Sequence, residues 1–507
     1  MNEKTGKNVT NRNLSKKLMR KIYPAFQTGY GSPLPRYSLD EVALTDGYST
    51  IAPQEVDLTT ECGIVSLATP LLTAPMDTVS GPDLGKAAFE VGVGNIIYRH
   101  KKPEVQLEWI QQVISHSPCL VHQPKILNPN DTLEDAADIL QKHRYSTIPV
   151  VDAGKKLRGI LFTKNAALKE NASDAVTKWM TPLDKLITIK PSEKFEIVRS
   201  RLLSEHGCSI LPVVDDGEIF HGMYFRKDCR PAAPAYHNGK PVTGMAVSVK
   251  PEDIERVKAG LELGVSLIVI DCSHGDCPAV INQVRQIVEL AKNYGAAVIA
   301  GNVASIGGYL RLAEVGVDAV KVGIGSGSIC TTSLVTGVGV PMWSLIRECA
   351  YAREYLFKKG LNAPIIIADG GINNTGQIVK ALAAGASLCM AGKYFVPAQE
   401  SLASVDVKAK AGDLVSYRGM ASRGAIRDRS AIFRYGAGKC APEGVEGKIE
   451  CRGPLKIWWP EDRELICGGF SHVGAATIED LHRIVNESPY IWSLLTPAGQ
   501  LQMAPRV

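Results

Sequence analysis

No two cysteines in this chain have the CxxC spacing of a zinc ribbon or a dithiol redox site, although its 507 residues include 12 cysteines. No charged-then-apolar leader opens the chain, and no apolar run approaches the roughly 18 residues needed to cross a bilayer. Disulfide scaffolds, structural zinc modules and membrane spans are therefore not expected, and a soluble, cytoplasmic protein with reduced thiols is. A GxGxxG fingerprint after a first strand is also missing, which argues against an open dinucleotide-binding sheet. Charge is balanced to a net +5. Lys4, Lys7, Arg12, Lys16, Lys17, Arg20 and Lys21 face only Glu3 over the first 21 positions, which reads as a solvated arm (residues 1–25); no nucleic-acid partner is expected. The length allows two to four domains.

What the chain has in abundance is one repeated unit: a β-branched run, a polar or glycine-rich loop, then a helical stretch. The runs 265–271, 297–302, 319–324, 364–372 and 388–392 follow this pattern, and 70–78 and 91–97 supply earlier strands. Continuous apolar strands alternating with helices specify a parallel sheet covered on both faces. The expected fold is α/β, a (β/α)8 TIM barrel over 26–117 and 235–507. Its active site belongs at the C-terminal strand ends, where Asp271, Asn302, Cys330, Asp369 and Gly392 would converge.

Cys330 stands in Val322-Gly-Ile-Gly-Ser-Gly-Ser-Ile-Cys-Thr-Thr332. Glycine at every second position (Gly323, Gly325, Gly327) frees the backbone to turn amides and carbonyls toward a ligand or ion. A thiol on such a loop is placed to act as a nucleophile, whereas the remaining cysteines, such as Cys349 and Cys389, are expected to pack as small apolar residues. A packing role is the alternative for Cys330 as well.

Between about 118 and 234 the chain carries two similar halves, 146–152 with 157–162 and 209–215 with 221–225. This insertion resembles a tandem CBS (Bateman) pair, which implies binding of an adenine or guanine nucleotide, ATP or GTP. Asp228 matches the aspartate that takes the ribose in such modules; the first half has Asn165 instead.

In chain order, PMDT (75–78), GSGSICTT (325–332), ADGGI (368–372), YRGM (417–420) and APEGVEG (441–447) closely resemble the inosine-5′-monophosphate dehydrogenase family over nearly the whole chain. The resemblance implies NAD-dependent oxidation of IMP to xanthosine monophosphate, with Cys330 attacking C2 of the base and water resolving the adduct. It makes Arg434 and Tyr435, on a mobile flap at about 412–450, the base and its support, and Thr332 and Glu443 an accessory proton relay. An arginine is an awkward base, because its pKa above 12 leaves almost none neutral; a salt bridge or an anion clamp is the alternative for Arg434.

The resemblance further implies Ser328, Gly371, Gly392 and Tyr417 around the substrate phosphate, Asp369 on the ribose hydroxyls, Met76 near the base, and Lys393, Gly419, Met420 and Glu443 also in contact with the substrate. Asp369 could instead cap the following helix. Lys393 replaces the usual serine and Ala74 a usual hydroxyl. NAD is expected beside Asp271, Ser273, Asn302 and Gly323, and potassium (K+) at the carbonyls of Gly325, Gly327 and Cys330. The intersubunit half of that ion site has no Glu-Gly-Gly counterpart near the C-terminal 502–507. A homotetramer, paired into octamers in some assemblies, is implied.

GMP reductase, the NADPH-dependent sister activity, shares the barrel, the cysteine loop and the covalent step. Its Gly-Met-Ser-Ser-Glu run is here Gly419-Met-Ala-Ser-Arg423, and it lacks the Arg-Tyr pair and EGVEG. These differences favour the dehydrogenase. A catalytically idle, nucleotide-sensing barrel is the third reading, opposed by the joint presence of Cys330, Thr332, Arg434 and Tyr435.

Overall fold

Eight parallel strands make one sheet: β1 (Leu71–Thr73), β2 (Asn95–Ile97), β3 (Thr243–Val247), β4 (Leu267–Asp271), β5 (Ala297–Val303), β6 (Ala319–Val322), β7 (Ile365–Asp369) and β8 (Leu388–Ala391). Their spatial order is β1-β8-β7-β6-β5-β4-β3-β2. A parallel bridge between Leu72 and Gly94, at the entry to β2, brings the two ends together. The architecture is a (β/α)8 barrel. A computed structural model of the chain describes residues 17, 18, 20, 21 and 35–503, apart from 101, 144, 165–170, 205–206, 230–232, 429–440 and 489.

Alternation along each strand sorts the side chains. Leu72, Ile96, Ala246, Leu267, Val269, Ile299, Ala319, Ile367 and Met390 form one buried cluster, which fills the barrel. Their neighbours Ile268, Ile270, Val298, Val320, Val322 and Ile366 join the larger cluster under the helices. Each fully buried Leu, Ile or Val contributes about 1.5–3 kcal/mol, so the two layers together supply the main driving force for folding.

The helices start and stop at chemically apt residues. Ser305, Asn374 and Thr477 each accept a backbone N–H of the first turn of the helix that follows. Gly264 and Gly474 end their helices in the left-handed region, with φ of 101° and 85°. Because Asn374 caps Thr375–Ala383, Asp369 is released from the capping role considered for it.

The chain divides into two compact units, one of Met1–His116 with Ala233–Val507, the other Ser117–Ala232. The second is internally repeated. Thr147–Val151 pairs antiparallel with Leu157–Phe162, and Ile210–Val214 with Phe220–Phe225. In each half an aspartate folds the hairpin turn: Asp152 accepts Lys156 N–H and Arg158, and Asp215 accepts Ile219 N–H and lies 3.0 Å from His221 Nε2. Asp228 is half-buried, and Asn165 lies outside the described residues.

Two strands beyond the barrel, β9 (Leu414–Arg418) and β10 (Glu446–Glu450), pair antiparallel. They bracket the segment expected to form a flap, of which 429–440, including Arg434 and Tyr435, lie outside the described residues. Cys62, Cys229, Cys272, Cys349, Cys389, Cys451 and Cys467 are buried as expected, whereas Cys119, Cys208 and Cys277 are half-buried. Cys119 has φ 64°, a turn conformation that holds it out of the core. Among the described residues every cysteine is a free thiol.

Candidate active site

Beyond β6 the chain enters the glycine loop. At Gly323, with φ 138°, a side-chain carbon would lie 2.3 Å from the carbonyl oxygen of Asp369, so the loop passes the end of β7 only without one. The loop then turns back, with Cys330 N–H donating to Gly327 O at 2.9 Å. Strand ends and loop together enclose a cavity of about 160 Å³. Met76, Ser273, Asn302, Gly323, Gly325, Gly327, Cys330, Thr332, Asp369, Gly392, Tyr417, Gly419, Met420 and Glu443 all line it.

The segment before β10 is knitted to the cysteine loop. Thr331 N–H donates to Glu443 O and Val445 N–H to Ile329 O, both at 3.0 Å. Gly419 and Gly444 cross so closely that a side-chain carbon on either would sit 3.4 Å from the other's Cα. Glu443 is thereby brought to Cys330. The Cys330 thiol donates to Thr332 Oγ1 at 3.1 Å, and Thr332 Oγ1 donates to Glu443 Oε2 at 3.0 Å. A proton leaving the sulfur has a continuous path to a carboxylate.

Four sequence-predicted residues stand beside the cavity rather than on its wall. The Ser328 side chain and the Lys393 backbone N–H hydrogen-bond the Tyr417 hydroxyl, whose pKa burial pushes up to about 12. Gly371, at φ 73°, turns the chain after β7, where an added carbon would sit 3.2 Å from Ser326 O. Asp271 is buried beneath the mouth and bound by Lys321 Nζ at 2.6 Å.

Residues the sequence reading did not single out also shape the site. Lys321, fully buried, also reaches Asp369 Oδ2 at 3.0 Å, and Ser326 Oγ donates to the Asp369 carbonyl at 2.8 Å. Arg418 donates to Asp77 and to Asp428, each at 2.7 Å, tying YRGM to PMDT and to the edge of the flap. Burial opposes the charge on Arg418, but the two carboxylates raise its pKa overall, and Arg418 in turn lowers that of Asp428. Asp77 and Arg418 stood inside quoted motifs, and a lysine within the apolar run of β6 was the sequence signal for Lys321.

Ser273, Asn302 and Gly323, residues expected beside NAD, line this same cavity. Gly325, Gly327 and Cys330, whose carbonyls are the ones expected at potassium, lie on this one loop, and carbonyl oxygens are the donor type a monovalent cation takes. A larger cavity, about 280 Å³, lies among peripheral helices with Arg347, Tyr351 and His482 on its wall, and among the described residues no cysteine, serine or threonine lines it.

Comparison with known proteins agrees with this geometry. The model of the IMP dehydrogenase / GMP reductase domain matches residues 36–499. Over 455 residues the chain is 34% identical to inosine-5′-monophosphate dehydrogenase of Pasteurella multocida (strain Pm70) and 35% identical to that of Escherichia coli (strain K12), in both cases covering 88% of this chain and 91% of the relative. Among solved structures, a cysteine-to-alanine variant of GMP reductase from Trypanosoma brucei in complex with guanosine 5′-monophosphate superposes with a TM-score of 0.65 at 27% identity, covering 94% of this chain and 98% of the other. A second structure of the same variant gives 0.69 at 26% identity, covering 93% and 99%. The chain belongs to the IMP dehydrogenase / GMP reductase family.

Proposed function

We propose that this chain is an oxidoreductase that converts inosine 5′-monophosphate to xanthosine 5′-monophosphate through a covalent bond between Cys330 and C2 of the base. The observation that carries the reading is the Cys330–Thr332–Glu443 hydrogen-bond chain at the barrel mouth, in a chain whose curated relatives are named for the dehydrogenase.

The thiolate is the nucleophile, so the thiol must first lose its proton, and Thr332 offers the way to Glu443. Sγ then bonds to C2, and the hydride on C2 leaves. Bound NAD would supply the hydride acceptor, held beside Ser273, Asn302 and Gly323. Water next adds at C2 and the C–S bond breaks, returning the thiolate. The proton of that water has two outlets, the flap pair Arg434 and Tyr435, and Glu443 through Thr332 once Glu443 has released the thiol's proton to solvent. Asp369 would grip the ribose, and Tyr417, Ser328, Gly371, Gly392 and Lys393 would surround the phosphate. Potassium, carried by the loop carbonyls, would stiffen the turn that presents the sulfur.

For the unit Ser117–Ala232 we propose a CBS pair. The repeated strand pairs and the equivalent Asp152 and Asp215 turns support it. Its ligand would be ATP or GTP.

A second reading, GMP reductase, is favoured by the two Trypanosoma brucei structures, which match over nearly their full length. One experiment separates the two. Purified chain with IMP and NAD is expected to generate NADH absorbance. Consumption of NADPH with GMP, and silence with IMP, would establish the reductase instead; silence with both would leave a nucleotide-sensing barrel.

A further inference from the structure

Lys321 is a lysine 0% exposed in the interior of a barrel strand. Burying an ammonium is strongly unfavourable unless carboxylates meet it with good geometry. Here two do: Nζ donates to Asp271 Oδ1 at 2.6 Å and to Asp369 Oδ2 at 3.0 Å. The strand between them makes room. Asp271 and Lys321 both stand opposite Gly301 in the β4-β5-β6 register, and a side-chain carbon on Gly301 would come within 2.7 Å of Lys321 Cβ. With only hydrogen there, the ammonium crosses β5 to reach Asp271.

Asp369 lines the cavity, whereas Lys321 does not. Its Oδ2 is doubly held, by Lys321 and by Asn302 Nδ2 at 2.8 Å. Asn302 is itself fixed by its second bond, to Gly323 O at 2.7 Å. With Oδ2 engaged twice, Oδ1 is the oxygen left for a ligand hydroxyl.

We infer that Lys321 is a positioning residue, which holds Asp369 so that Oδ1 meets a ribose hydroxyl of the bound nucleotide and, with the same ammonium, ties that clamp to Asp271 at the neighbouring strand end. It touches neither substrate nor the reacting atoms. The inference rests on the purine-nucleotide reading above and holds for either reaction.

The test is ribose discrimination, which a merely structural lysine would not control. Binding of IMP and 2′-deoxy-IMP, and of GMP and 2′-deoxy-GMP, is measured by calorimetry on the full chain and on Lys321→Met. The wild type should prefer the ribonucleotide. In the variant, ribonucleotide affinity should fall roughly 10- to 100-fold, the scale of one charge-assisted hydrogen bond, and the preference should shrink toward one. Should Lys321→Met fail to fold, Lys321→Met combined with Asp271→Asn removes the more deeply buried of the two carboxylate charges left behind and is read by the same ratio. A variant that keeps the wild-type preference overturns the inference alone. A wild type that binds neither IMP nor GMP overturns the functional reading, and this inference with it.

Discussion

Thr332 donates its hydroxyl proton to Glu443 across 3.0 Å, although 111 positions separate the two residues. Since the same hydroxyl accepts from Cys330, it links the thiol to the carboxylate. Thr332→Val removes the link while keeping the shape. A fall in kcat of roughly 10²-fold is expected, with thermal stability within a few degrees of wild type. Cys330→Ala should abolish turnover outright on an equally stable fold. Mass spectrometry of quenched wild-type enzyme with its nucleotide should find an adduct on Cys330. Substantial turnover by Cys330→Ala would end the covalent mechanism.

Gly323 passes Asp369 O with no room for a methyl, and its φ of 138° disfavours any side chain. Gly323→Ala must therefore push β6 and β7 apart at the mouth, where Asp369 sits. The expected cost is about 1–3 kcal/mol in chemical denaturation, together with a raised KM for the nucleotide. Stability and KM both at wild-type values would show that the loop relaxes freely and does not set the ribose clamp.

How far the sequence could carry these inferences differs by element. β4 to β8 were legible because each is a β-branched or apolar run bounded by polar strand ends. β3 was not: Thr243-Gly-Met-Ala-Val247 dilutes that signal with glycine and methionine, and only pairing with β2 and β4 makes it a strand. Cys330 stood out as a candidate because glycines and hydroxyls surround it locally. Lys321 was not, since a lysine in a strand ordinarily reads as a solvent-facing position. Its partners Asp271 and Asp369 lie 50 and 48 residues away, and only the side-by-side pairing of β4 through β7 brings the three together.

Lys393 stands where a hydroxyl is usual, and Ala74, on the cavity wall, has no hydroxyl to give. The Lys393 side chain is exposed, while its backbone N–H contacts Tyr417. Lys393→Ala therefore deletes a charge without touching that contact. If the ammonium faces the substrate phosphate, KM for the nucleotide should rise about 3- to 10-fold at low salt, and the difference should narrow as salt screens the pair. Equal KM values for variant and wild type at low salt would take the side chain out of phosphate binding.

His482 gives the barrel a pH dependence of its own. Burial pushes its imidazole pKa below the ordinary 6.5, reinforced by Arg353 and partly offset by the carbonyls of Ala386 and Leu382. Nε2 lies 3.0 Å from Leu382 O and 3.1 Å from Ala386 O, so the ring is held neutral as a donor. The unfolded chain takes up a proton near pH 6.5 and the native chain only at lower pH. The stabilisation is thus fully present above about pH 6.5 and is lost as pH falls toward the native pKa. His482→Gln keeps a donor for these carbonyls but does not titrate. Urea midpoints measured at about pH 8 and about pH 5.5 should fall further for wild type than for the variant. Parallel losses in the two proteins would mean that His482 takes up its proton as readily folded as unfolded.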